Sequence, residues 1–102
     1  MEIVNNDKYE ELAIEWQFQM ICLLRKTLKN HNIESQKAKE ICGDFSFDLA
    51  MIQDQGEIRI DREEYRPVIC FESADQQLWY NSNDDCQLHE YAFGNTEEAF
   101  RD

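Results

Sequence analysis

Cys86 and His89 stand three residues apart, a separation that can turn two zinc ligands toward one ion. A closed site needs two more donors. Cys42 or Cys70 would have to come from elsewhere in the fold, and no CxxC pair is present, so a small metal-binding protein or enzyme ranks last among the readings. His31 and His89 are the only side chains able to act as a base near neutral pH without a large shift. One falls in a polar stretch, the other beside an acidic one, and nothing places either next to a nucleophile. Both are read as surface histidines.

Carboxylates crowd residues 54–64, where Asp54, Glu57, Asp61, Glu63 and Glu64 could surround a hard cation. No DxDxDG loop closed by a glutamate accompanies them, so a solvated charged hairpin is the reading. Gly-rich phosphate loops and GxSxG are absent, and three glycines in all leave little for a cofactor cradle. The expectation is a non-enzymatic protein without catalytic residues, cofactor or metal.

Charge says more. The chain has 22 acidic and 10 basic residues, a net charge of −12. Residues 1–43 hold 7 acids and 6 bases, while residues 44–102 hold 15 acids and 4 bases, so the charge belongs to the second half. Such a surface repels nucleic acid and anionic membranes and attracts a basic protein. The residues expected to meet that partner are Asp48, Glu57, Asp61, Glu63, Glu64, Asp84 and Asp85, with Trp79 as an aromatic anchor inside an acidic rim. The leading expectation is a small acidic protein that docks a basic partner through an acidic sheet half and neutralises or escorts it. Inhibitor and immunity proteins share this size and charge logic, a comparison of physical type and not of motif.

The element organising the rest is a helix over residues 7–30, roughly 36 Å long, against a radius of gyration of about 13 Å for a compact chain of this length. At about 100° per residue it carries two stripes. Tyr9, Leu12, Ala13, Trp16, Met20, Leu23 and Leu24 form the expected core face. Ile14, Phe18, Ile21, Arg25 and Leu28 lie nearly opposite with heptad-like spacing. That second stripe calls for cover from a short helix, from the C-terminal segment or from another copy, which leaves room for a homodimer. A dimeric secretion-type chaperone is the alternative function.

Beyond a polar turn at residues 30–32, a short second helix is expected over residues 34–42, with Gly43 after its end. From residue 44 the period changes to two. Residues 44–52 and 57–62 read as a hairpin with Gly56 free to take a positive φ, residues 68–71 as a doubly covered strand, 77–81 as a fourth and 88–93 as a fifth. A short helix over residues 96–101 closes the chain. The expected fold is a single α+β domain over residues 1–102, a two-layer α/β sandwich whose long and short N-terminal helices pack on an antiparallel four- to five-stranded meander, ending in the short C-terminal helix.

No run of 18 apolar residues occurs, and the N-terminus lacks a basic-then-apolar leader pattern. The expected location is the cytoplasm, with the four cysteines as reduced thiols.

Overall fold

A computed structural model describes residues 3–5, 8–80 and 87–101. The described elements run β1 (Ile3–Asn5), α1 (Tyr9–Asn30), α2 (Ser35–Gln55), β2 (Ile58–Ile60), β3 (Glu63–Tyr65), β4 (Phe71–Glu72), β5 (Leu78–Tyr80), a single 3-10 turn at Leu88–Glu90, and α3 (Ala92–Ala99). Helix and sheet are mixed, as expected of an α+β chain. Among the described residues there is no four- to five-stranded meander.

Helix α1 opens with Glu10 and Glu11 at the positive end of its dipole and closes with Lys29 in its last turn. Its end is built by local hydrogen bonds. Asn32 takes a left-handed φ of 64°. Its N–H donates to the carbonyl of Lys29 and that of Ile33 to Leu28, both at 3.0 Å. This pair of bonds is the Schellman closure, with asparagine where glycine is usual. The chain then reverses into α2, whose first turn is capped by Glu34 Oε1 accepting from the Lys37 N–H at 3.0 Å.

Helix α2 runs straight through the segment expected to be a strand. The large residues Phe45, Phe47, Leu49 and Met51 alternate, but the side chains that go inside are small. Ala38, Cys42, Ser46 and Ala50 are buried at four-residue spacing, and Gly43 beside them. A stripe of small residues lets other helices approach closely, and helical burial overrides the two-residue period of the larger ones. Gly43 is a contact point inside the helix and not its end.

Three helices therefore cover one another. The buried residues of α1, Tyr9, Ala13, Gln17 and Ile21, recur every four positions. Ile21, Cys42 and Ala99 form one core cluster, with Phe18, Leu28 and Phe100 packed on it. The stripe from Ile14 to Leu28 is thus largely occupied within the chain, and the Arg25 guanidinium donates to the Ala99 carbonyl at 2.6 Å while lying 4.6 Å from the Phe100 ring centre. Of the expected core face, Tyr9 and Ala13 are buried, whereas Leu23 is exposed.

Tyr9, Ala13, Ala50 and Leu88 form the other cluster. There the sheet meets the first turn of α1. Its order is β1-β5-β4, with β1 parallel and β4 antiparallel to the central β5. The Tyr9 ring stands edge-on to Tyr80 at 5.1 Å, and its hydroxyl donates to the Ile69 carbonyl at 2.8 Å.

The hairpin is β2 with β3, Ile58 opposite Tyr65 and Ile60 opposite Glu63. Asp61 and Arg62, with φ of 54° and 71°, make the turn, and Glu63 and Glu64 belong to the strand that follows it. Two consecutive positive φ values fit a type I′ connection, whose twist matches that of paired strands. Gly56 has a φ of −68°, not a positive one. A Cβ there would lie 2.2 Å from the Ile52 carbonyl oxygen, so the position excludes a side chain for steric reasons. Residues 88–93 form no strand. They pass through the 3-10 turn into α3, which begins at Ala92 and includes Gly94 and Asn95.

Candidate functional site

Four of the expected partner-contact residues, Glu57, Asp61, Glu63 and Glu64, lie exposed on or beside the β2–β3 hairpin. They are not on the far side of a broad sheet. Arg59, Arg62 and Arg66 are interspersed with them, Glu64 pairs with Arg59, and Glu63 accepts from the Tyr65 hydroxyl at 2.8 Å. Ile58 and Ile60 on β2 are exposed. Asp48 is exposed on α2, a different element. Trp79 sits half-buried in the central strand opposite Phe71, and its indole Nε1 is buried with no hydrogen-bond partner among the described residues. Asp84 and Asp85 lie outside the described residues, as does Cys86 of the Cys86–His89 pair.

A more coherent acidic surface is built by α2 and α3. Glu40, Asp44 and Asp48 follow one another at four-residue intervals, so they line one side of α2 turn after turn, all exposed. From residue 40 to residue 55 the sequence contains no lysine or arginine. Next to this ridge stands Phe93, 52% exposed in the first turn of α3. Its ring rests on Gly43, where a Cβ would come within 3.0 Å of Cε1, and stacks on Phe47 at 5.5 Å between centroids. Glu40, Asp44, Phe93 and Glu97 share a groove of about 350 Å³ with Gln36 and Lys39. Lys39 Nζ is 2.9 Å from Glu97 Oε1, closing one side. Phe45 and Ile52 add exposed apolar area on α2. An aromatic side chain amid carboxylates suits a contact with a cationic, partly apolar surface.

The groove is held from below by polar side chains. Gln17 is 1% exposed, donates through Nε2 to the Leu88 carbonyl at 2.9 Å and accepts through Oε1 from Asn95 Nδ2 at 2.7 Å. It fixes the 3-10 turn and α3 on α1 together. Asp54, near the end of α2, accepts on Oδ2 from both the backbone N–H and the ring Nδ1 of His89, at 2.8 and 2.7 Å. Phe47 stands edge-on to that ring at 5.9 Å. Among the described residues no group of three or more His, Cys, Asp and Glu side chains is arranged around a common point, as a metal ion would require. His89 acts here as a joint between elements.

Compared with protein-family models, curated proteins and solved structures, the chain has no significant match.

Sequence reasoning missed Phe93, Glu40, Asp44 and Glu97. The signal was present in part, since carboxylates at positions 40, 44 and 48 keep helical spacing past the expected helix end at Gly43. Nothing local announced Phe93, which owes its position to α3 docking over a glycine. Among the described residues no helix is long and apolar enough to cross a membrane.

Proposed function

We propose that this chain is a small acidic, non-enzymatic binding protein that docks a basic protein partner and neutralises or escorts it. The docking surface is the face of α2 and α3, not a sheet. The observation that carries the reading is Phe93, half-exposed over Gly43 between Glu40, Asp44 and Glu97. A net charge of −12 supports steering of a cationic partner over distances of about a Debye length, roughly 8–10 Å at physiological salt.

The test is capture from the native cell with wild type and with the Phe93→Ala, Asp44→Lys double variant as baits. Basic proteins retained by wild type, lost by the variant and released by salt would support the reading. Recovery of the same proteins by both baits, or of partners that are themselves acidic, would overturn it.

A further inference from the structure

Glu40, Asp44 and Glu97 share their groove with one lysine, and that lysine is already paired. Lys39 Nζ lies 2.9 Å from Glu97 Oε1, whereas no ion pair or side-chain hydrogen bond among the described residues holds Glu40 or Asp44. These two stand four residues apart on α2, about 6 Å along its axis, a spacing at which like charges repel and weaken a helix. A cation seated between them removes that repulsion.

The wall of the groove narrows the choice of cation. Phe93 stacks on Phe47 with the rings 27° from parallel, so the exposed half of Phe93 is the other face of its ring and the outer edge. A hard metal ion needs a cage of oxygens, and among the described residues no three acidic, histidine or cysteine side chains surround a common point. An ammonium is a compact, strongly hydrated point charge. A guanidinium is planar and weakly hydrated, so it can lie flat on an aromatic face while its edge N–H groups reach carboxylates. The chain makes one such contact itself, with Arg25 4.6 Å from the Phe100 ring centre and an N–H donated to the Ala99 carbonyl. The groove, at about 350 Å³, is at the lower end of ligand pockets, which run from roughly 300 to 1,000 Å³, so it admits one long side chain and not a folded segment.

We infer that the groove between α2 and α3 seats a single arginine side chain of the basic partner, its guanidinium flat on Phe93 and its N–H groups donated to Asp44 and Glu40. This rests on the α2 and α3 face being the docking surface and adds which side chain that face selects. Gly43 sets the depth of the seat, because a Cβ there would meet Phe93 Cε1 at 3.0 Å and press the ring outward.

The probe is N-acetyl-arginine amide, titrated into the full chain to about 100 mM at constant ionic strength and followed by amide NMR shifts, with N-acetyl-lysine amide as the equally charged control. The expected result is saturable binding in the millimolar range, with shifts centred on Asp44, Phe93 and Thr96 and an affinity about threefold or more higher for the arginine derivative. Phe93→Leu keeps an apolar side chain over Gly43 without a ring, and should weaken the arginine derivative by about two- to fivefold and remove its advantage over the lysine one. Asp44→Asn should weaken it by about tenfold. Both positions are exposed, so the rest of the amide spectrum should stay that of the wild type. No saturable binding, equal affinity for the two probes, shifts scattered over the acidic surface, or an arginine preference that survives Phe93→Leu would each overturn the inference. No partner protein takes part in the titration, so such a result strikes the arginine assignment alone, and the capture with the two baits tests the docking reading separately.

Discussion

Asp54 and His89, 35 residues apart in sequence, are joined twice through one oxygen: the Asp54 carboxylate takes both the backbone N–H and the ring Nδ1–H of His89. The side chain of Asp54 is 5% exposed. This pair of hydrogen bonds to one residue ties the end of α2 to the 3-10 turn ahead of α3. Replacing Asp54 by Ala leaves two donors without their acceptor and should lower unfolding stability by about 2–3 kcal/mol, with Asp54→Asn losing less because its amide oxygen can still accept. Urea midpoints of the two variants measure the order.

Gly43 sets two effects against each other. Alanine is favoured over glycine in a helix interior by about 1 kcal/mol, yet its Cβ would press on the Phe93 ring. Gly43→Ala should therefore change stability by less than about 1 kcal/mol while displacing the ring and weakening partner binding. In a Phe93→Ala background the conflict is gone, and the same substitution should stabilise by about 1 kcal/mol. A thermodynamic cycle of the four proteins gives both numbers.

Gln17 is the buried polar residue whose hydrogen bonds position α3. Gln17→Leu keeps the volume and removes both bonds, leaving the Leu88 carbonyl without its side-chain donor and Asn95 with only the Ile14 carbonyl at 3.3 Å. A loss of about 2–3 kcal/mol is expected in chemical denaturation. A change smaller than about 0.5 kcal/mol would mean that the network contributes nothing net.

Burial holds the Cys42 thiol above its ordinary value of 9.0, with the Arg25 guanidinium pulling it back and Cys22 pushing it up again. The folded protein keeps this proton where the unfolded chain releases it, so the contribution is complete below about pH 9 and is lost as pH rises toward the folded value. Stability should fall as pH rises above about 9, by denaturant titration, and Cys42→Ala should remove part of that slope. Tyr65 acts in the same direction, its phenol raised first by the hydrogen bond to Glu63 and then by desolvation. The comparison is therefore cleanest in a Tyr65→Phe background.

The hairpin turn holds Asp61 and Arg62 at positive φ, a conformation that costs a residue with a Cβ about 1–2 kcal/mol relative to glycine. Arg62→Gly should strengthen the hairpin by about 1 kcal/mol, visible as slower amide exchange at the Ile60 to Glu63 end. Unchanged exchange would show that the turn does not limit hairpin opening.

The long first helix, the polar turn after it and the strand at residues 78–80 were legible because each depends on local signals: helical periodicity, charges matched to the dipole, and a turn rich in asparagine. The acidic second half was legible for the same reason, since charge is a sum over residues. Residues 44–52 were not, because Phe45, Phe47, Leu49 and Met51 imitate a strand whereas burial chose Cys42, Ser46 and Ala50, whose small size matters only once neighbouring helices are present. The same holds for the surface. Sequence alone determined how much negative charge this protein carries, but only the docking of α3 over Gly43 decided that Phe93 would stand among Glu40, Asp44 and Glu97, because that neighbourhood joins residues some fifty positions apart through packing that no local pattern encodes.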